Sequence, residues 1–200
     1  MTNQVRSVPT DEIVDGLLQF ALYTGGQTYN DRKFQRLMKF TELDEIEQGR
    51  LFNELLVTAI GGLLLSFDDE LFSADAAPFL KQLRSAIKPG FKRALSTMGL
   101  SESQVRDWLK LYDLRMKEYR RELDEFVPMV KLQLAEIAAD EPLRPKQLVA
   151  RMLILSTAAL SHLRRGQLDT GDPLQPYLKN WLIRYLAQLS KLAQPLLADS

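Results

Sequence analysis

The most regular feature of the sequence is a stripe of apolar positions that begins shortly after Ser101. The stripe has two interleaved series, and within each series the apolar residues recur every seven positions. One series contains Leu109, Met116, Leu123, Val130 and Ile137, and the other contains Val105, Tyr112, Tyr119 and Phe126. This pattern predicts a long helix with coiled-coil-like packing, and the two bulky tyrosines favour packing within a bundle. Ser101 and Gln104 form a capping pattern at its start, and Pro128, which lies off the stripe, predicts a kink.

The other segments also have a helical pattern, because strong helix formers dominate and no alternating β-branched runs occur. Glycines at 25–26 are expected to end the first helix, and Pro89-Gly90 to separate two others. The helices are predicted at residues 10–23, 31–40, 44–67, 75–88, 90–98, 101–137, 145–165 and 172–194. We therefore predict an all-α fold, a multi-helix bundle of about seven or eight helices. A flexible tail at residues 1–9 is expected to precede a single domain at residues 10–200.

The thirteen residues 55–67 form a strongly apolar run without a charge, which contains the pair Gly61-Gly62. A membrane-spanning helix needs about 20 apolar residues. The run is shorter than that, so we expect a buried central helix and no membrane insertion. Each glycine inside a helix costs about 1 kcal/mol relative to alanine. We expect that cost to be tolerated because another backbone, in this chain or in a partner subunit, approaches closely here.

Composition narrows the possible chemistry. The chain has no cysteine, which excludes disulfides and thiol nucleophiles and fits a cytoplasmic location. No apolar segment follows a basic start, so we expect no secretory signal. The net charge is zero, yet residues 1–80 hold 13 acidic and six basic side chains. Residues 81–100 hold five basic and no acidic side chains. This asymmetry indicates either an anionic partner or two faces that attract each other within the fold.

A single histidine, His162, limits catalysis. No GxSxG motif accompanies it, and we interpret it as a capping or surface histidine. Ala159 stands where the Glu-x-x-His motif of a di-iron bundle needs glutamate. A magnesium site built from carboxylates alone is conceivable. The acids concerned are Asp68, Asp69 and Glu70, or Glu42, Asp44, Glu45 and Glu47. Consecutive acids do not share a helix face, and acids commonly cap helices, so we expect no metal, no cofactor and no catalytic residue.

Residues 92–113 resemble a helix-turn-helix, with Gly99 in the turn and Ser101 at the start of the second helix. Nucleic acid would then be contacted by Lys88, Lys92, Arg93, Ser103, Gln104, Arg106 and Lys110. Three features argue against DNA binding: Leu95 stands where a small residue is usual, acids occupy the outward face, and the second helix is very long. A helical corner in any bundle gives the same pattern.

Aromatic side chains follow one side of the last helix at a spacing of four: Tyr177, Trp181 and Tyr185. They are candidates for a ligand pocket between helices, although this spacing is also typical of a core.

Our leading prediction is a non-enzymatic α-helical protein that binds other proteins and forms a homodimer. One alternative is a nucleic-acid-binding transcription regulator of helix-turn-helix type. Another is a small-molecule sensor or enzyme with its site inside the bundle.

Overall fold

The computed structural model describes residues 10–67, 76–137 and 143–198, without the side chains at 127, 129–137, 143–146 and 193–198. Seven α-helices form these ranges: α1 (Thr10–Asn30), α2 (Arg32–Leu37), α3 (Glu45–Ser66), α4 (Ala77–Thr97), α5 (Glu102–Ile137), α6 (Leu143–Leu163) and α7 (Leu174–Ala198). A 3₁₀ turn at Phe40–Glu42 joins α2 to α3. No strand occurs within these ranges, and the predicted all-α bundle is confirmed. The predicted tail at residues 1–9 and the predicted helix start at residue 75 lie outside them.

Helix α3 lies at the centre of the bundle. Its residues from position 54 to its end are nearly all buried, and it packs against α1, α5, α6 and α7. Helix α4 packs on α1 and α5, whereas α2 packs on α1 and α7. Within the described ranges, α3 is the one helix long and apolar enough to cross a membrane, with 72% of its apolar stretch buried inside the protein. Such burial is typical of the core helix of a bundle.

Three predicted helix starts are confirmed by their caps. Asp31 accepts hydrogen bonds from the first backbone N–H groups of α2. Asp44 accepts one from the backbone N–H of Glu47 at 2.8 Å. At the start of α5, the backbone N–H of Ser101 donates to the side-chain oxygen of Gln104 at 2.8 Å, and the Gln104 N–H donates to the Ser101 hydroxyl at 3.4 Å. Each cap satisfies N–H groups that would otherwise have no partner at a helix end.

Helix α1 does not end at Gly25-Gly26, as predicted, but continues to Asn30. A Cβ atom added at Gly25 would lie 2.8 Å from Cδ2 of Leu56 and 3.2 Å from the carbonyl oxygen of Leu55. Gly25 therefore permits a close approach of α1 to α3 within a continuous helix. The prediction of a stop was wrong because tertiary packing outweighs the weak local preference of glycine.

Helix α4 continues through Pro89, where two separate helices were predicted. A proline cannot donate the hydrogen bond to the carbonyl group four residues earlier, but buried side chains on both sides of it keep the helix in place. Gly90 lies against α1, since an added Cβ would be 2.7 Å from Cγ1 of Val14. Helix α7 likewise continues past Pro195 to Ala198, beyond its predicted end.

The apolar stripe of α5 is buried over its first half. The buried members are Val105, Tyr112, Tyr119 and Leu123. Leu109 and Met116 are half-buried, and Phe126 is exposed. The side chains of Val130 and Ile137 lie outside the described part of the chain. The helix continues through Pro128, and the kink there stays a prediction.

Gly61 and Gly62 are covered by aromatic rings rather than by another backbone. A Cβ atom added at Gly61 would lie 2.8 Å from the ring of Tyr119 on α5. One added at Gly62 would lie 3.0 Å from the ring of Tyr185 on α7. The predicted close approach is real, but the neighbours are side chains of the same chain. The absence of a side chain on α3 makes room for two of the largest fully buried residues of the core.

Candidate functional site

Two residues predicted as nucleic-acid contacts on α4 form ion pairs with acids of neighbouring helices. Lys88 Nζ lies 2.7 Å from a carboxylate oxygen of Asp113 on α5. Arg93 Nη2 lies 2.8 Å from Asp15 and 3.3 Å from Asp11, both on α1. Lys88 thus pairs with an acid of the C-terminal half, whereas the contacts of Arg93 join the basic segment to the acidic N-terminal half of the chain. That is the second of the two interpretations of the charge asymmetry.

Of the other residues of the predicted nucleic-acid face, Lys92 lies on α4 and the rest lie on the first turns of α5. Gln104 is engaged in the cap of that helix, and Lys110 Nζ lies 3.0 Å from Asp107. The remaining members are exposed side chains: Lys92, Ser103 and Arg106. The turn before them has the predicted glycine, because Gly99 adopts a φ of +83°, a conformation that glycine adopts readily. The face therefore carries both signs of charge.

The three aromatic residues predicted to line a pocket are buried in the core. The ring of Tyr185 stacks on Phe20 with centroids 5.3 Å apart, and Tyr177 lies 6.0 Å from Phe34. Burial raises the pKa of Tyr185 and raises that of Tyr177 to about 12. Within the described part of the chain, the indole N–H of Trp181 and the hydroxyl of Tyr185 have no hydrogen-bond partner. Ring-to-ring packing accounts for the spacing of four along α7.

A buried ion network joins α3, α5 and α6, and sequence reasoning missed it. Glu54 is only 3% exposed. Arg115 binds both of its carboxylate oxygens, with Nη2 at 2.5 Å and Nε at 2.8 Å, and also binds Glu118 through Nη1 at 2.7 Å. Next to the network, the hydroxyls of Thr58 and Tyr119 lie 3.1 Å apart. The sequence contains one signal of this network, which is a glutamate directly before the uncharged run of α3. A carboxylate at such a position is expected to be buried, and a buried carboxylate requires a cationic partner.

His162 is neither a cap nor a surface residue, so its predicted role was wrong. Its side chain is 11% exposed, and Nε2 lies 3.4 Å from a carboxylate oxygen of Glu118. Burial lowers its pKa, and the nearby positive charge of Arg115 lowers it further. The end of α6 is instead capped by Arg50, whose guanidinium donates to the carbonyl oxygens of His162 and Leu163 at 2.8 and 2.9 Å. The prediction failed because the position of His162 near the end of α6 does not indicate which side chains of α5 pack against it.

Three of the four described acids considered for magnesium have other partners, and the fourth, Glu45, is an exposed residue of the first turn of α3. Asp44 caps α3, and Glu42 lies 3.8 Å from Lys39. Glu47 binds Arg50 and Arg165, and the hydrogen bond from Arg50 lowers its pKa to about 2. In the ranges with assigned side chains, no three acidic or histidine residues converge as a metal site. Residues 68–70 lie outside those ranges.

An open groove with a volume of about 570 Å³ lies between α1 and α4. Residues 15–23 of α1 and 93–98 of α4 line it. Leu18, Leu22 and Ala94 give it an apolar surface. Two large side chains on the same lining are unusually exposed, Tyr23 by 65% and Met98 by 58%. We call this feature the α1–α4 groove. It depends on how two distant helices pack, so no local pattern in the sequence indicates it.

A smaller cleft of about 220 Å³ lies between α5 and α6. Glu122 and Phe126 line it from α5, with Leu153, Ile154 and Thr157 from α6. Burial raises the pKa of Glu122.

Comparison of the chain with family models, with curated proteins and with solved structures finds no match. Inference about function therefore rests on the residues of this chain.

Proposed function

We propose that this protein is a non-enzymatic binding module that holds another protein in the α1–α4 groove. The observation that supports the proposal is the joint exposure of Tyr23 and Met98 beside an apolar lining. Tyrosine and methionine are enriched in protein interfaces, and methionine adapts its shape to irregular partners. Both side chains expose apolar surface to water. A partner that covers this surface gains binding free energy from its burial.

The shape of the groove favours a helix as the bound element. The residues of α1 that line it are spaced as i, i+3, i+4, i+7 and i+8 over positions 15–23. They form one face about 12 Å long at 1.5 Å per residue. Two helix faces that meet at an apolar lining form a groove into which a third helix packs with its own apolar row. Two to three turns of such a helix match that length.

The charges around the groove favour protein over nucleic acid. Affinity for nucleic acid depends on cations that neutralise phosphates. Arg93, the cation that lines the groove, already lies between Asp11 and Asp15. A small molecule is favoured less, because small-molecule sites bury most of the ligand in a concave pocket. This groove is wide and flanked by exposed side chains.

The proposal is tested by photo-crosslinking from inside the groove. A benzoyl-phenylalanine placed at Met98 should give adducts that the same group at Lys117, an exposed position on α5, does not give. Mass spectrometry of the adducts identifies the bound protein and the crosslinked peptide. We expect one reproducible species with an amphipathic helical segment at the crosslink. Adducts that are identical at both positions, or none at Met98, would contradict a binding role for the groove.

A further inference from the structure

We infer that the partner in the α1–α4 groove is a second copy of this chain, so that the protein forms a two-fold symmetric dimer through this face. This inference rests on the proposed function and names the partner of the same site.

The first argument is shape. A two-fold interface uses the same patch on both subunits, so the patch must contain both a depression and something to fill it. The groove offers the depression, and Tyr23 and Met98 on its lining project outward to fill the groove of the other copy.

The second argument is charge. Asp11 and Asp15 on one side and Arg93 on the other are all exposed, although they contact one another within the chain. The face therefore carries both signs, and a copy turned about a two-fold axis presents the same acids and the same arginine. An axis that places each Arg93 beside the acids of the other copy would bring opposite charges together across the interface. Charge complementarity of this kind favours the correct pairing over other partners.

The third argument concerns the whole surface. The chain has a net charge of zero at pH 7, so two copies approach without long-range repulsion. A standard interface buries roughly 800 Å² per partner. A groove face about 12 Å long supplies only part of that area. We therefore expect a reversible dimer with a dissociation constant of about 1–100 µM.

The decisive experiment is sedimentation velocity of the purified full chain at concentrations from about 1 to 300 µM, which bracket the expected constant. The wild-type protein should change from monomer to dimer across this range. The double variant Tyr23→Gln/Met98→Gln should raise the dissociation constant about thirtyfold or more, since truncated interface anchors commonly cost that much. Its melting temperature in the monomer range should stay that of the wild type, because both side chains are exposed. The matched control is Ile46→Gln, an 84% exposed residue outside the groove, which should dimerise as the wild type does.

A crosslink locates the interface independently. The native chain has no cysteine, so Met98→Cys introduces a single thiol. Mild oxidation should then give a disulfide-linked dimer with Met98→Cys and not with Ile46→Cys. A chain that stays monomeric over the whole range, or a dimer that the double variant leaves intact, would overturn the inference. If the chain is monomeric but the photo-crosslinker at Met98 captures a different protein, the proposed function stands and only the identity of the partner is wrong. If the crosslinker captures nothing either, both fail.

Discussion

At the scale of single residues, His162 shows how burial changes the chemistry of a side chain. It contacts Glu118 and the ring of Tyr119, and its pKa is lowered by burial and by Arg115. The folded protein therefore binds a proton at His162 less readily than the unfolded chain does. The histidine contributes stability that is fully present above the unfolded pKa of about 6.5. That contribution is lost as the pH falls through 6.5 toward the lower pKa of the folded state.

We predict that the free energy of unfolding falls between pH 7.5 and pH 5.5 in the wild type and falls less in His162→Gln. The chain has one histidine, so no other side chain has its unperturbed pKa in this window. Urea unfolding at several pH values measures the difference. Equal slopes in both proteins would show that His162 does not supply the pH dependence. A variant of an exposed residue, Lys117→Gln, should keep the slope of the wild type.

A second prediction at this scale concerns the buried carboxylate of Glu54. Arg115→Met leaves Glu54 without its cation, and breaking a buried pair in this way costs about 3–5 kcal/mol. Replacing both partners, Glu54→Met with Arg115→Met, should restore most of the stability. The deeply buried carboxylate is then gone, and Glu118, whose side chain is 23% exposed, keeps access to water. The control Arg121→Met, at an exposed position on the same helix, should change stability by less than about 0.5 kcal/mol. Urea unfolding of the four proteins gives the comparison. A double variant as unstable as Arg115→Met would show that the pair itself is required.

At the scale of helices, the sequence predicted starts better than ends. The caps at Asp31, Asp44 and Ser101 involve residues within three positions of one another, so a local pattern contains the whole interaction. The stops predicted at Gly25-Gly26 and Pro89 failed because buried contacts between α1 and its neighbours α3 and α4 hold both helices continuous. The Glu54 network and the α1–α4 groove arise where helices distant in sequence meet, and a single helix pattern does not specify which helices meet.

The neighbouring glycines of α1 give a matched test of this distinction. Gly25→Ala should destabilise the protein by about 1–3 kcal/mol, because the new methyl group would lie 2.8 Å from the Leu56 side chain and 3.2 Å from the backbone of α3. Gly26→Ala should stabilise it by about 0.5–1 kcal/mol, because nothing lies within 4 Å of the added Cβ and alanine is the better helix former. Thermal and urea unfolding of the two variants would measure the opposite signs. Equal effects would mean that both positions reflect helix propensity alone.

At the scale of the whole molecule, the two glycines of α3 limit which parts of the bundle move. Successive helical residues point about 100° apart, since each turn takes 3.6 residues. The rings of Tyr119 and Tyr185 therefore press on Gly61 and Gly62 from different directions. A rotation of α3 that relieved one contact would tighten the other, and a shift along its axis would bring Ile60 or Leu63 against a ring. Helix α3 is thus a fixed axis of the bundle, held against both rotation and translation by two rings from different helices.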